Sequence, residues 1–228
     1  MTEPYNEPPV NPLPPVVLAL ALVLIGVELV MQLGARGLAG GADAVGWRLA
    51  TIQRFAFSGE LLDWMLDRSQ FPAGYMIRFF SYVFIHLSFV HAVFVVVFLL
   101  ALGKLVGEVF GTVAFLLVFF LSGAMGALAY GLILNDPMPL VGGFPAVYGL
   151  IGAYTFLIWT SLAIEGENQM QAFNLIAVLM GIQLLFSLIF GGSNDWVADL
   201  AGFATGFAVS FFVTPGGWHR LVEKLRKR

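Results

Sequence analysis

The chain has 228 residues, of which 59% are hydrophobic and 11% charged, with a formal net charge of −3. Its mean hydropathy of +0.89 lies well outside the range of soluble globular domains, so a soluble enzyme is excluded and the lipid bilayer is the first partner implied. No cysteine is present, which removes disulfides, thiol nucleophiles and cysteine metal ligands, and the slightly acidic balance implies no nucleic-acid partner.

Residues 1 to 14, "MTEPYNEPPVNPLP", hold too many prolines for a helix and are expected to form a flexible tail. Residues 15 to 34, "PVVLALALVLIGVELVMQLG", read as a first span; Glu3 and Glu7 precede it and no basic residue does, which favours a retained helix over a signal peptide. The first loop, residues 35 to 78, is long. In it Leu49, Ile52 and Ala56, then Leu61, Trp64 and Met65, recur at helical spacing among charged residues. Short helices in the membrane interface would bury those stripes, with Trp47 and Trp64 as headgroup anchors; a small soluble cap is the alternative.

Residues 79 to 103, 109 to 135, 137 to 164 and 168 to 194 contain no Asp, Glu, Lys or Arg, and each can hold a span of about 20 residues. Residues 196 to 213, "WVADLAGFATGFAVSFFV", complete a set of six before a basic tail at 215 to 228. Backbone groups in lipid must be paired internally, so the expected fold is an all-α membrane bundle of six helices over residues 15 to 214, with interfacial helices in the first loop. An even number of spans puts both termini on one side. The basic count is six on the terminal side (Lys104, Arg220, Lys224, Arg226, Lys227, Arg228) against five opposite (Arg36, Arg48, Arg54, Arg68, Arg78). The density of "HRLVEKLRKR" beside the last span favours cytoplasmic termini in a plasma (inner) membrane.

Ionisable residues inside spans are costly and normally face the bundle interior with a partner. Glu28 is in the first span, His86 and His91 in the second, and Asp199 in the sixth, one turn beyond Asp195 near the water boundary. On one helix, five residues turn about 500°, so His86 and His91 would point about 140° apart, have separate roles and not share a metal. No metal or cofactor is expected. His91 shares a face with Val95, and Phe144 with Tyr148. Gly103 and Gly107, Ser122 and Gly126, and Gly202 and Gly206 stand four apart, a spacing that lets helices approach closely; the last pair would press the sixth helix on the fourth, at Gly149 and Gly152.

The segments "RFFSYVFIHLSFVHAVF", "LGKLVGEVFG", "VGGFPAVYGLIG" and "VADLAGFATGF", in that order, resemble successive motifs of the rhomboid intramembrane serine proteases, from about Arg78 to Phe207. The resemblance implies that Gly142, Tyr148 and Gly152 keep the frame of the fourth helix, with Phe144 at the nucleophilic serine position and Pro145 at the glycine that follows. It places Asp199 where the general-base histidine stands, ahead of Gly202 and Gly206. It also places Val95 at the oxyanion-site asparagine, four residues after His91. A glutamate expected after the second span falls one residue late, at Glu108, with Gly107 in its place.

Serine acyl transfer needs a hydroxyl, a base to take its proton and donors at the developing oxyanion. Phe144 has no nucleophilic atom, Val95 has no donor and Pro145 has no N–H. Losing nucleophile or base alone removes most of a rate enhancement of about 10⁶ in such enzymes. The resemblance therefore implies a pseudoprotease that binds transmembrane segments of client proteins at a lateral opening between helices two and five. His86, His91, Gly142, Tyr148 and Asp199 are the candidate binding residues. Phe144 is expected to fill the cavity, and Asp199 to pair with His91 or Tyr148. The other class is an intramembrane endopeptidase with non-standard residues, Asp199 and His91 acting on water, in which Glu28 is the only other acid within a span.

Overall fold

The computed structural model describes residues 12–134, 136–190 and 194–214. The N-terminal tail to residue 11 and the basic tail from 215 lie outside the described residues. Pro14 and Pro15 fix φ at the entrance to the first apolar stretch, which suits a helix start because the first N–H groups have no partner within the helix. The helix that follows, α1 (Pro15–Ala35), buries Val17, Leu20, Leu24 and Glu28 along one stripe and turns Leu22 and Leu29 outward. It ends where Gly37 takes φ 68° and the Leu38 N–H reaches back to the Leu33 carbonyl at 2.9 Å, satisfying an orphaned carbonyl.

Four short helices occupy the first loop: α2 (Trp47–Phe55), α3 (Gly59–Arg68), α4 (Ala73–Met76) and α5 (Arg78–Ser81). Of the apolar stripes expected there, Ala56 and Met65 are buried, Trp64 meets Tyr75 edge-on at 5.5 Å, and Leu49 is exposed. Trp47 is a packing residue, its indole lying over Gly34 and Gly40 where a Cβ would have no room. Phe57 and Leu140 exchange backbone hydrogen bonds of 3.1 and 2.8 Å, stitching this loop to the segment that precedes α7 (Phe144–Glu165).

The next helix, α6 (Phe89–Ile133), is broken at Gly111, whose φ of 76° and ψ of 175° are open in practice to glycine alone. The arms 89 to 110 and 112 to 133 fold back on each other, with Gly103 against Phe115 and also against Val17 of α1. The uncharged runs suggested a boundary at Lys104 and Glu108, but the helix runs through both. Charges one turn apart are compatible with a helix, whereas the backbone at 111 is not. Among the described residues, α1, α6, α7 and α9 (Trp196–Val213) are long and apolar enough to cross a membrane, and there is no strand beyond the isolated Phe57–Leu140 bridge. A further apolar helix, α8 (Asn174–Phe190), touches α7 and α9 through few residues.

The centre is α7, buried from Pro145 through Ala153, with α9 and the second arm of α6 against it. Lipid tails are as apolar as leucine, so these helices gain from close approach rather than from leaving water. Small residues provide that approach. A Cβ on Gly202 would meet the Pro145 carbonyl, one on Gly206 the Gly149 carbonyl and one on Gly152 the Phe203 carbonyl, while Gly149 faces Ser122 and Gly126 faces Ala198. The N-termini of α6, α7 and α9 thereby come to surround one cavity.

Candidate functional site

Ser88 caps α6, its hydroxyl accepting the His91 N–H at 3.2 Å, so the helix begins at Phe89 and Ile85 before it is extended. His86 consequently lies outside the helix, and the angular argument that separated it from His91 fails. The two rings meet edge-on with centroids 5.1 Å apart. His86 is buried; its Nε2 accepts the Gly143 N–H at 3.4 Å, which assigns the proton to Nδ1, and its carbonyl accepts Arg48 Nη1 at 2.5 Å. Arg48 also pairs with Glu28 at 2.7 Å, and Gln32 donates to the same carboxylate at 2.8 Å. Glu28 thus anchors the first loop to α1 and to the His86 backbone, away from the cavity.

Gly142 takes φ 102°, and a Cβ there would strike the His91 ring, so glycine serves both the backbone and the space. Val95 is buried beneath Gly143 and does not line the cavity. At the start of α7, Phe144 stacks on His91 with centroids 5.0 Å apart and planes 16° from parallel. Pro145 follows in the first turn, where an N–H has no helical partner to lose.

Asp199 lies in the first turn of α9 and is 1% exposed. No hydrogen bond joins it directly to His91 or Tyr148, contrary to expectation. Gln183 of α8 bridges instead: its Nε2 donates to Asp199 Oδ2 at 2.8 Å and its Oε1 accepts the Tyr148 hydroxyl at 2.9 Å. The amide is long enough to span the gap, and it links α7, α8 and α9 in one chain. Asp199 Oδ1 and His91 Nε2 are buried without a hydrogen-bond partner.

These groups border a cavity of about 440 Å³ whose walls include His91, Phe94, Phe144, Pro145, Gln183 and Asp199. Phe144 forms one wall and leaves the space open; stacking on His91 draws its ring to the side, so the expected plug is absent. The cavity holds a second carboxylate, from Asp195, where the sequence pointed to Glu28 as the other acid. Three or more metal-ligating side chains do not converge anywhere among the described residues. Outside this cavity, the Met138 N–H and the Asn194 amide each donate to the Asp136 carboxylate at 2.9 Å and hold its pKa below the ordinary aspartate value.

Gln183, Arg48 and Ser88 were not among the sequence candidates. Gln183 is the one polar residue of "LIAVLMGIQLLF", a signal as telling as a charge in a segment of that kind. Glu28 required a partner and Arg48 was available in the first loop, but nothing in their spacing joins them.

The Rhomboid domain family model matches residues 73–216. The chain is 30% identical over 131 residues to Rhomboid-like protease 3 of Toxoplasma gondii, covering 56% of this chain and 48% of that protein. It is 27% identical over 136 residues to the putative rhomboid protease YdcA of Bacillus subtilis, covering 59% of this chain and 65% of that protein. The chain therefore spans about half to two thirds of the length of these relatives.

Proposed function

The chain belongs to the rhomboid family, and from that premise we propose that it is a proteolytically inactive member that binds transmembrane segments of client proteins in the cavity beside Phe144. The observation that carries this reading is the Phe144 ring, stacked on His91 at the start of α7, where the family resemblance puts the nucleophile. No hydroxyl stands there, and the carboxylate at the general-base position is engaged by Gln183 rather than by a nucleophile. Val95, at the oxyanion-site position, offers no donor.

The geometry supports a binding role. Phe94 and Val90 on the first arm of α6 face the same space as Gln183 on α8, and among the described residues α8 meets α7 and α9 through few residues, so a helix approaching in the membrane plane could enter between α6 and α8. The reading includes six spans: α1, the two arms of α6, α7, α8 and α9. At 1.5 Å per residue each arm of α6 reaches about 33 Å, enough for the hydrocarbon core. Within one membrane domain over residues 15 to 214, the loop from 35 to 78 lies at the interface, with both termini cytoplasmic in a plasma (inner) membrane.

Purified chain in nanodiscs should crosslink a designed single-span helix through photoreactive groups placed at Phe94 and at Gln183. Bulky substitution of Val90 should abolish the crosslink. Equal crosslinking from lipid-facing Leu22 would remove the support for a cavity-binding role. A second reading is favoured by Asp199 Oδ1 and His91 Nε2, both unpartnered at the cavity: an endopeptidase in which this pair activates water, Asp199 as base and His91 as acid. Such an enzyme would cleave in the absence of any serine nucleophile.

A further inference from the structure

The cavity contains two carboxylates, Asp195 and Asp199, and no lysine or arginine among its walls. Asp199 is 1% exposed and accepts one hydrogen bond, at Oδ2; Oδ1 has none. His91 Nε2, at the same cavity, is likewise without a partner. A buried carboxylate oxygen left without a donor is unfavourable. The opposing influence is the positive end of the three helices that begin here, which would attract an anion. That influence is partial charge confined to the first turn, and it is already answered in part: Asp199 sits in the first turn of α9, and Ser88 caps α6. What the helix ends leave unmet is a donor for Asp199 Oδ1, which an anion cannot supply.

We propose that the clients of this cavity are transmembrane segments carrying a lysine or arginine within the span, whose cationic head donates to Asp199 Oδ1. The inference rests on the client-binding reading above and specifies its partner. A basic residue in a lipid-facing helix is itself costly and seeks an acceptor, so the pairing relieves two buried groups at once. The stem of such a side chain is apolar, and Phe94 and Phe144 offer it apolar walls on the way to the carboxylate. His91 Nε2 supplies a second acceptor in the tautomer protonated at Nδ1. The Gln183 bond to Oδ2 is compatible with this and holds the carboxylate in place.

The test uses the full chain reconstituted in phosphatidylcholine vesicles, with designed single-span helices that differ only in bearing Lys, Gln, Glu or Leu at the depth of Asp199. Affinity is read by energy transfer from a dye on one introduced cysteine, since the chain has none of its own. The Lys helix is expected to bind about tenfold more tightly than the Leu helix, the scale of one charge-assisted hydrogen bond. Asp199→Asn keeps an oxygen for Gln183 and should bring the ratio of Lys-helix to Leu-helix affinity to about one; Asp199→Glu should retain the preference. Equal binding of Lys, Gln and Leu helices would overturn the inference and leave client binding intact, whereas no binding by any helix would overturn both. A Glu helix bound as tightly as the Lys helix by the wild-type chain also overturns it, whatever the variants do. A Lys preference that appears only when phosphatidylglycerol is added belongs to the lipid surface and counts against the proposal.

Discussion

Replacing Gln183 with leucine removes a side chain that bridges α7, α8 and α9 through hydrogen bonds to both Tyr148 and Asp199. The substitution nearly conserves volume, so its effect comes from the two hydrogen bonds. The Tyr148 bond is worth about 0.5–1.5 kcal/mol, and the bond to the buried Asp199 carboxyl group about 1–3 kcal/mol. Interhelical hydrogen bonds measured in membranes average about 0.6 kcal/mol, which pulls the sum towards about 2 kcal/mol. That is about a 30-fold change in the ratio of attached to detached α8, since 1.4 kcal/mol is tenfold. Spin labels at Val97 and Val178, on α6 and α8, would report the separation by pulsed electron resonance, with a longer-distance population growing in Gln183→Leu. For a domain of this size the melting temperature should fall by about 4–8 °C. An unchanged distance distribution together with an unchanged melting temperature would show that apolar packing alone holds α8, and the latch role of Gln183 would be wrong.

Arg48→Met leaves Glu28 buried beside His86 without its cation and should destabilise the protein by about 3–5 kcal/mol. Adding Glu28→Leu should recover most of that, as thermal unfolding in detergent would show. Gly206→Val drives a side chain into the Gly149 backbone, which cannot yield as a flexible side chain would, and should cost about 3 kcal/mol. Gly181→Val, where a Cβ meets nothing within 4 Å, should be close to neutral in the same measurement. The lowered pKa of Asp136 means that its bonds to Met138 and Asn194 stabilise the fold above the ordinary aspartate pKa. That contribution is lost as the pH falls through the folded-state value, so amide exchange at Met138, corrected for its intrinsic pH dependence, should accelerate in acid in the wild type and lose this acid response in Asp136→Asn.

The helical architecture was legible because uncharged runs and glycine spacing are local features of the chain. Gly202 and Gly206 pointed to the contact with α7 for the reason the structure gives, a backbone approach that any side chain would block. The site was less legible where it depended on helix ends and on long side chains. Reading His86 and His91 on one helix gave the wrong relation between them, since the Ser88 cap that starts the helix depends on backbone geometry that hydropathy does not report. Asp199 needed a partner, and the sequence offered His91 and Tyr148; Gln183 lay on a helix with no ionisable residue and escaped notice. Arg48 and Glu28 meet across twenty positions, a distance that only the fold closes. The break at Gly111 was hidden by 25 other glycines in a chain that has 26.

The proposal that the chain lacks serine-protease chemistry is tested most directly by incubating the purified wild-type chain in proteoliposomes with a fluorophosphonate probe and, separately, with a single-span substrate. Asp199→Ala and His91→Ala are run alongside. No covalent labelling and no cleavage above that of empty vesicles is the expected result for all three proteins. Cleavage by the wild type that disappears in Asp199→Ala would contradict the inactive reading and establish Asp199 as part of a working hydrolytic site.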